Sequence, residues 1–125
     1  MRNGRSVILV VEDNFLIRLG AVDIVECAGY EAVEAEDAAA AILVLEARQD
    51  IDLVFTDVQM PGTMDGIKLS HYIRERWPPI KLMVASGNAV LNEGSLPAGG
   101  RFFSKPYSDI AIAAMMARLL AEVAA

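Results

Sequence analysis

The 125 residues predict a single α/β domain, a doubly wound five-stranded parallel sheet with helices on both faces. Three observations carry this. Short apolar runs rich in β-branched residues recur along the chain and end in polar residues, as strands buried on both faces do. Segments with helical apolar spacing alternate with them, giving βαβαβαβαβα with short connections, and parallel strands joined this way cross over right-handedly and collect helices on both faces. Finally, 54% of the residues are hydrophobic and 22% charged, enough for a real core and unlike a disordered chain.

The elements follow in order. Val7–Val11 is a continuous apolar run, the first strand. Asn14 to Ala28 carries Ile17, Ala21, Ile24 and Ala28 at helical spacing, and Gly29 stops that helix. Tyr30 to Ala35 alternates among Glu31 and Glu34, which suits a strand at a sheet edge. Asp37 can cap a second helix over Ala38–Arg48. Ile51–Thr56 is the third strand and runs into Asp57. Pro61-Gly62-Thr63 is turn chemistry, and a third helix over Asp65–Trp77 is stopped by Pro78-Pro79. Ile80–Ala85 is the fourth strand, ending in Ser86-Gly87. Asn88 to Gly100 is broken by Gly, Ser and Pro, so a fourth helix there is expected to be short or irregular. Arg101-Phe102-Phe103 is a fifth strand, ending in Ser104-Lys105-Pro106, and Asp109–Val123 is a final Ala-rich helix.

Composition also excludes classes of function. There are 11 Lys and Arg against 17 Asp and Glu, a net charge of −6, a poor electrostatic match for nucleic acid. One cysteine, Cys27, rules out an intramolecular disulfide and reads as a small buried residue near a helix end. The N-terminal segment lacks signal-peptide character. Apolar runs such as Ala38–Leu45 are far too short to cross a bilayer. A cytoplasmic protein without membrane association is the expectation. One domain over residues 1–125, with no effector domain, is the expectation.

In open α/β sheets the functional groups sit beyond the carboxyl ends of the strands. Here those ends offer Glu12-Asp13, Asp57, Ser86 and Lys105. Carboxylates brought together repel and call for a cation. Oxygen ligands with room for water suit Mg²⁺, or Mn²⁺ in its place. A lysine and a hydroxyl beside them can bind an arriving anion. The set suits phosphoryl transfer to a carboxylate oxygen.

Taken singly, each residue has a plainer reading. Asp57 can cap a turn, Asp13 can cap a helix, and Ser86-Gly87 can be an ordinary turn. Lys105 can be a solvated edge lysine, and either Phe102 or Phe103 can be core. His71 reads as a surface helix residue.

Together, Val10-Val11-Glu12-Asp13-Asn14, Thr56-Asp57-Val58-Gln59-Met60-Pro61-Gly62, Met64-Asp65-Gly66, Ala85-Ser86-Gly87 and Lys105-Pro106-Tyr107 resemble the receiver domain of bacterial two-component response regulators. They stand in the family's order across the whole chain. The resemblance implies a sheet of order 2-1-3-4-5 and a phosphoacceptor at Asp57. It implies Mg²⁺ held by Glu12, Asp13, Asp57 and the backbone carbonyl of Gln59. Ser86 and Lys105 would contact the phosphoryl group, and Phe102 falls at the family's switch aromatic. The donor would be a sensor histidine kinase or phosphotransfer protein, and the output would pass by contact to another protein. The chain would then be no conventional enzyme, only a phosphoacceptor with self-catalysed phosphotransfer and slow autodephosphorylation.

Two features depart from the family pattern. Gly62 and Thr63 place two residues, where one is usual, before Met64-Asp65-Gly66. The Ser86–Lys105 stretch is short and rich in Gly and Pro, so the output face is altered. That alteration keeps open a receiver-shaped scaffold that binds a partner without phosphorylation. An aspartate-nucleophile phosphohydrolase would need an acid/base Asp where Gln59 stands. A flavodoxin-like cofactor binder would need a hydroxyl- and glycine-rich phosphate loop after the first strand, where Glu12-Asp13 would repel a phosphate.

Overall fold

The computed structural model describes residues 5–87 and 93–122. Five strands, β1 (Val7–Val11), β2 (Glu31–Ala35), β3 (Leu53–Asp57), β4 (Lys81–Ser86) and β5 (Arg101–Ser104), form one sheet of order β2-β1-β3-β4-β5. Every neighbouring pair is parallel. The helices are α1 (Phe15–Cys27), α2 (Ala38–Ala47), α3 (Gly66–Arg76) and α4 (Asp109–Ala121).

Strand alternation divides the core between the two faces. Leu9, Val54 and Leu82 point to one face and pack with Ala41 and Leu45 of α2 and Leu69 and Ile73 of α3. Ile8, Phe55 and Met83 point to the other and pack with Val25 of α1 and Ile112 and Met116 of α4. All of β1 and β3 is buried, as expected of central strands covered on both sides.

Helix starts are set by side-chain caps at the strand-to-helix turns. Asn14, Asp37, Asp65 and Ser108 each accept a backbone N–H from three residues on. Gly29, with φ of +92°, ends α1 in the left-handed conformation that glycine tolerates.

The structure differs from the sequence reading at several places. Cys27 is exposed rather than buried; it lies one helical turn beyond Asp23, on the solvent side, and its thiol sits 3.8 Å from Asp23 Oδ1. Ile17 and Ala28, expected in the buried stripe of α1, are also exposed, because that stripe is Ala21, Val22, Ile24 and Val25. Of the region expected to hold a short or irregular fourth helix, residues 88–92 lie outside the described residues. The described remainder contains one 3₁₀ turn, Glu93–Ser95. The end of the last helix expected at Val123 also lies outside them; α4 closes at Ala121 with Glu122 as its cap. Among the described residues no helix is long and apolar enough to cross a membrane.

Candidate functional site

Parallel strands deliver Glu12, Asp57, Ser86 and Lys105 to one rim because each lies at or just past a carboxyl end. Ladder bonds carry the register outward. Glu12 N–H donates to Ala35 O (3.1 Å), Val58 N–H to Ala85 O (3.0 Å), and Lys105 N–H to Ser86 O (2.9 Å).

The Lys105 ammonium lies 2.8 Å from Asp57 Oδ1 and 3.2 Å from Glu12 Oε1, bridging the two buried carboxylates. Asp57 Oδ1 is buried and, among the described residues, receives no hydrogen bond, so its contact with Lys105 is an ion pair without hydrogen-bond alignment. Burial, chiefly, raises the Glu12 carboxyl above its usual value. The Asn14 amide, donating to Glu12 Oε2 at 3.1 Å, works against this, the charge of Asp57 adds to it, and Lys105 opposes it. Burial alone would lower Lys105; the contacts with Asp57 and Glu12 outweigh it and hold the ammonium above its ordinary value.

Asp13 is exposed, yet one oxygen each from Glu12, Asp13 and Asp57 lie within 4.8 Å of one another. Three hard oxygen donors at that spacing fit a small divalent cation such as Mg²⁺. Gln59 lines the same open depression as Asp13, with Val58, Met60, Pro61 and Asp65. Beneath the carboxylates is a cavity of about 10 Å³, with room for roughly one water, lined in part by Glu12, Asp57, Lys105 and Tyr107.

Ser86 is fully buried. Its hydroxyl donates to the Gln59 side-chain carbonyl across 3.1 Å. Phe102 is half-buried against Val58, Val84 and Leu96, while Phe103 points through the sheet to the α1–α4 face. Alternation alone left open which face each takes; Phe102 pairs with Val84 and shares its cluster. Phe102 N–H also donates to Glu93 Oε2 at 3.3 Å. The candidate residues Glu12, Asp13, Asp57, Gln59, Ser86 and Lys105 are thus gathered, with Phe102 two residues before Ser104, the strand partner of Ser86.

The residue reading missed three supports. Arg18 donates to Glu12 O at 2.8 Å while its Nε pairs with Glu34 at 2.9 Å, anchoring the turn after β1. Gly66 sits so close to the end of β3 that a Cβ would overlap the Asp57 carbonyl and crowd Val58 Cα. Its presence in the Met64-Asp65-Gly66 motif was visible, but the close approach that requires it was not. Tyr107 stacks at a tilt on Phe55 (5.6 Å between centroids), and burial pushes its phenol above the usual value.

A family model described as the response regulator receiver domain matches residues 8–117. The response regulator protein FleR of Pseudomonas aeruginosa is 37% identical over 114 residues, 89% of this chain and 24% of that protein. The response regulator receiver protein CpdR of Brucella abortus is 35% identical over 103 residues, 80% of this chain and 84% of that protein. The chain spans only 12% of another relative, the sensor kinase CckA of Brucella abortus, at 34% identity over 110 residues, 85% of this chain. The crystal structure of the receiver domain from the hybrid histidine kinase CckA superposes with a TM-score of 0.78 at 31% identity, covering 92% of this chain and 99% of that one. By sequence, by fold and by the order of its rim residues, the chain belongs to the response regulator receiver domain family.

Proposed function

We propose that the chain takes a phosphoryl group from a phosphohistidine onto Asp57 and signals by protein–protein contact. One observation supports this most: a lysine bridges two buried carboxylates at the rim, with a third carboxylate within ligand distance. A carboxylate oxygen of Asp57 would form the new O–P bond as the P–N bond of the donor breaks, its electron pair leaving with the imidazole. Lys105 would follow the developing charge on the phosphoryl oxygens. Ser86 would donate to one of them. Glu12, Asp13, Asp57 and the Gln59 backbone carbonyl would hold Mg²⁺, which supplies further charge neutralisation when bound. Phe102 would then move toward the space Ser86 vacates, changing the β4–β5 face. The donor is a sensor histidine kinase or phosphotransfer protein, and a protein partner reads the result.

Incubation with Mg²⁺ and acetyl phosphate, read by intact-protein mass, tests this. Wild type should gain one labile phosphoryl group and Asp57→Asn none. No labelling of wild type from acetyl phosphate or from any kinase overturns the function, and labelling that persists in Asp57→Asn overturns the site.

A further inference from the structure

We infer that the Gln59 side chain is a latch on Ser86, a positioning role separate from its backbone carbonyl. This rests on the function proposed above. Gln59 and Ser86 are 27 residues apart, on the loop after β3 and at the end of β4, and the Ser86 hydroxyl donates to Gln59 Oε1 at 3.1 Å. A serine hydroxyl has one proton to give. Given to Gln59, it is not given to an oxygen on Asp57, and among the described residues Asp57 Oδ1 indeed receives no hydrogen bond.

Phosphorylation therefore exchanges one bond for another. The Ser86 proton leaves a neutral amide oxygen for an anionic phosphoryl oxygen, which is the stronger acceptor. The exchange runs forward once the phosphoryl group is present and is opposed before it arrives. The latch also ties the loop after Asp57 to the strand neighbouring Phe102. Val84, two residues before Ser86, packs with Phe102 and Val58 in one small apolar cluster. Holding Ser86 holds β4 at the level where Phe102 would move. Gln59 is exposed while Ser86 is fully buried, so water can take over the amide when the bond breaks, and the opposing bias is that of one net neutral hydrogen bond.

The probe is beryllofluoride with Mg²⁺, titrated against the whole chain and followed by NMR. Gln59→Met removes the acceptor and keeps length and backbone carbonyl. It should bind beryllofluoride roughly two- to tenfold more tightly than wild type, the range one net hydrogen bond spans. Before any metal or beryllofluoride is added, the Phe102 ring signals of Gln59→Met should already be shifted toward their bound positions. Gln59→Glu keeps an acceptor and should retain the wild-type Phe102 signals. In a Ser86→Ala background, Gln59→Met should no longer change beryllofluoride affinity, whereas a merely structural effect of the substitution would persist there. Unchanged or weaker binding by Gln59→Met, or an equal effect with and without the Ser86 hydroxyl, overturns the latch while leaving the function standing. Failure of wild type to bind beryllofluoride at all overturns the function and the latch with it.

Discussion

Replacing Lys105 with methionine keeps the aliphatic stem and deletes the charge that bridges Glu12 and Asp57. The two carboxylate side chains are 7% and 6% exposed, and their nearest candidate ligand oxygens lie within 4.8 Å. At an effective dielectric of about 20, two unit charges at that separation repel by roughly 3.5 kcal/mol. The metal-free protein can escape by binding a proton. Keeping a carboxyl of ordinary value 4.5 protonated at pH 7 costs about 3.4 kcal/mol. The two routes cost nearly the same, so Lys105→Met should lose about 3 kcal/mol at pH 7. At pH 5 protonation costs only about 0.7 kcal/mol, and the loss should fall below about 1 kcal/mol. The sign follows from Glu12. A native carboxyl raised above its unfolded value binds its proton more tightly when folded, so stability is gained as pH falls through the raised value toward 4.5. Lys105→Met enlarges that gain. Urea unfolding in EDTA at both pH values measures it, and adding Asp57→Asn should restore most of the loss at pH 7. Equal losses at pH 7 and pH 5, or a further loss from Asp57→Asn, would refute the reasoning.

Gly66→Ala should cost roughly 1–3 kcal/mol in urea unfolding and slow labelling by acetyl phosphate, because the new methyl must displace the Asp57 carbonyl. Alkaline unfolding should steepen through Lys105 and Tyr107, both raised in the native state. Their contributions are intact below about pH 10, near the usual lysine and tyrosine values, and are lost as pH rises through the raised native values; Tyr107→Phe should flatten part of that slope. Mg²⁺ at a hundred times its Kd should add about 2.7 kcal/mol, and Asp13→Asn should shift the metal titration to higher concentration. Arg74 donates to Ala98 O (3.2 Å), Pro78 O (2.5 Å) and Ile80 O (2.8 Å); Arg74→Met should speed amide exchange at 96–100 well before global unfolding does.

The fold was legible because burial on both faces leaves a plain mark: Val7–Val11 and the runs at β3 and β4 are apolar whatever the neighbours do. Strand ends were less legible because the partner strand sets them. Ile51 and Asp52 read as strand, yet Asp52 Oδ2 accepts the Val7 N–H at 2.8 Å and the Asp52 N–H donates to Val7 O at 2.9 Å. Asp52 thereby closes the start of β1, and the β3 ladder begins at Leu53. Ser86 lies inside β4 rather than after it, because Ser104 pairs with it. The stripe of α1 was read in the right phase, since Ala21 and Ile24 are buried, but too long at both ends. Apolar type marks a buried face only where something covers it, and the N-terminal half of α1 leaves Phe15, Leu16, Ile17 and Leu19 exposed.

At the site, residue type and strand-end position were enough to name the charged groups, because a parallel sheet sends every carboxyl end to the same rim. What they could not carry was the pairing of those groups. Lys105 lies 93 residues from Glu12, and only the packing of β5 beside β4 decides that its ammonium reaches across to both carboxylates. Gln59 shows the same limit from the other side. The backbone role proposed for it came with the family resemblance, but its side chain meets Ser86 only because the loop after β3 folds back over the end of β4. A side chain whose contacts depend on a neighbouring strand leaves no local pattern, so pairings such as Gln59 with Ser86 and Lys105 with Glu12 are what the sequence conceals, while the polar groups at the strand ends are what it displays.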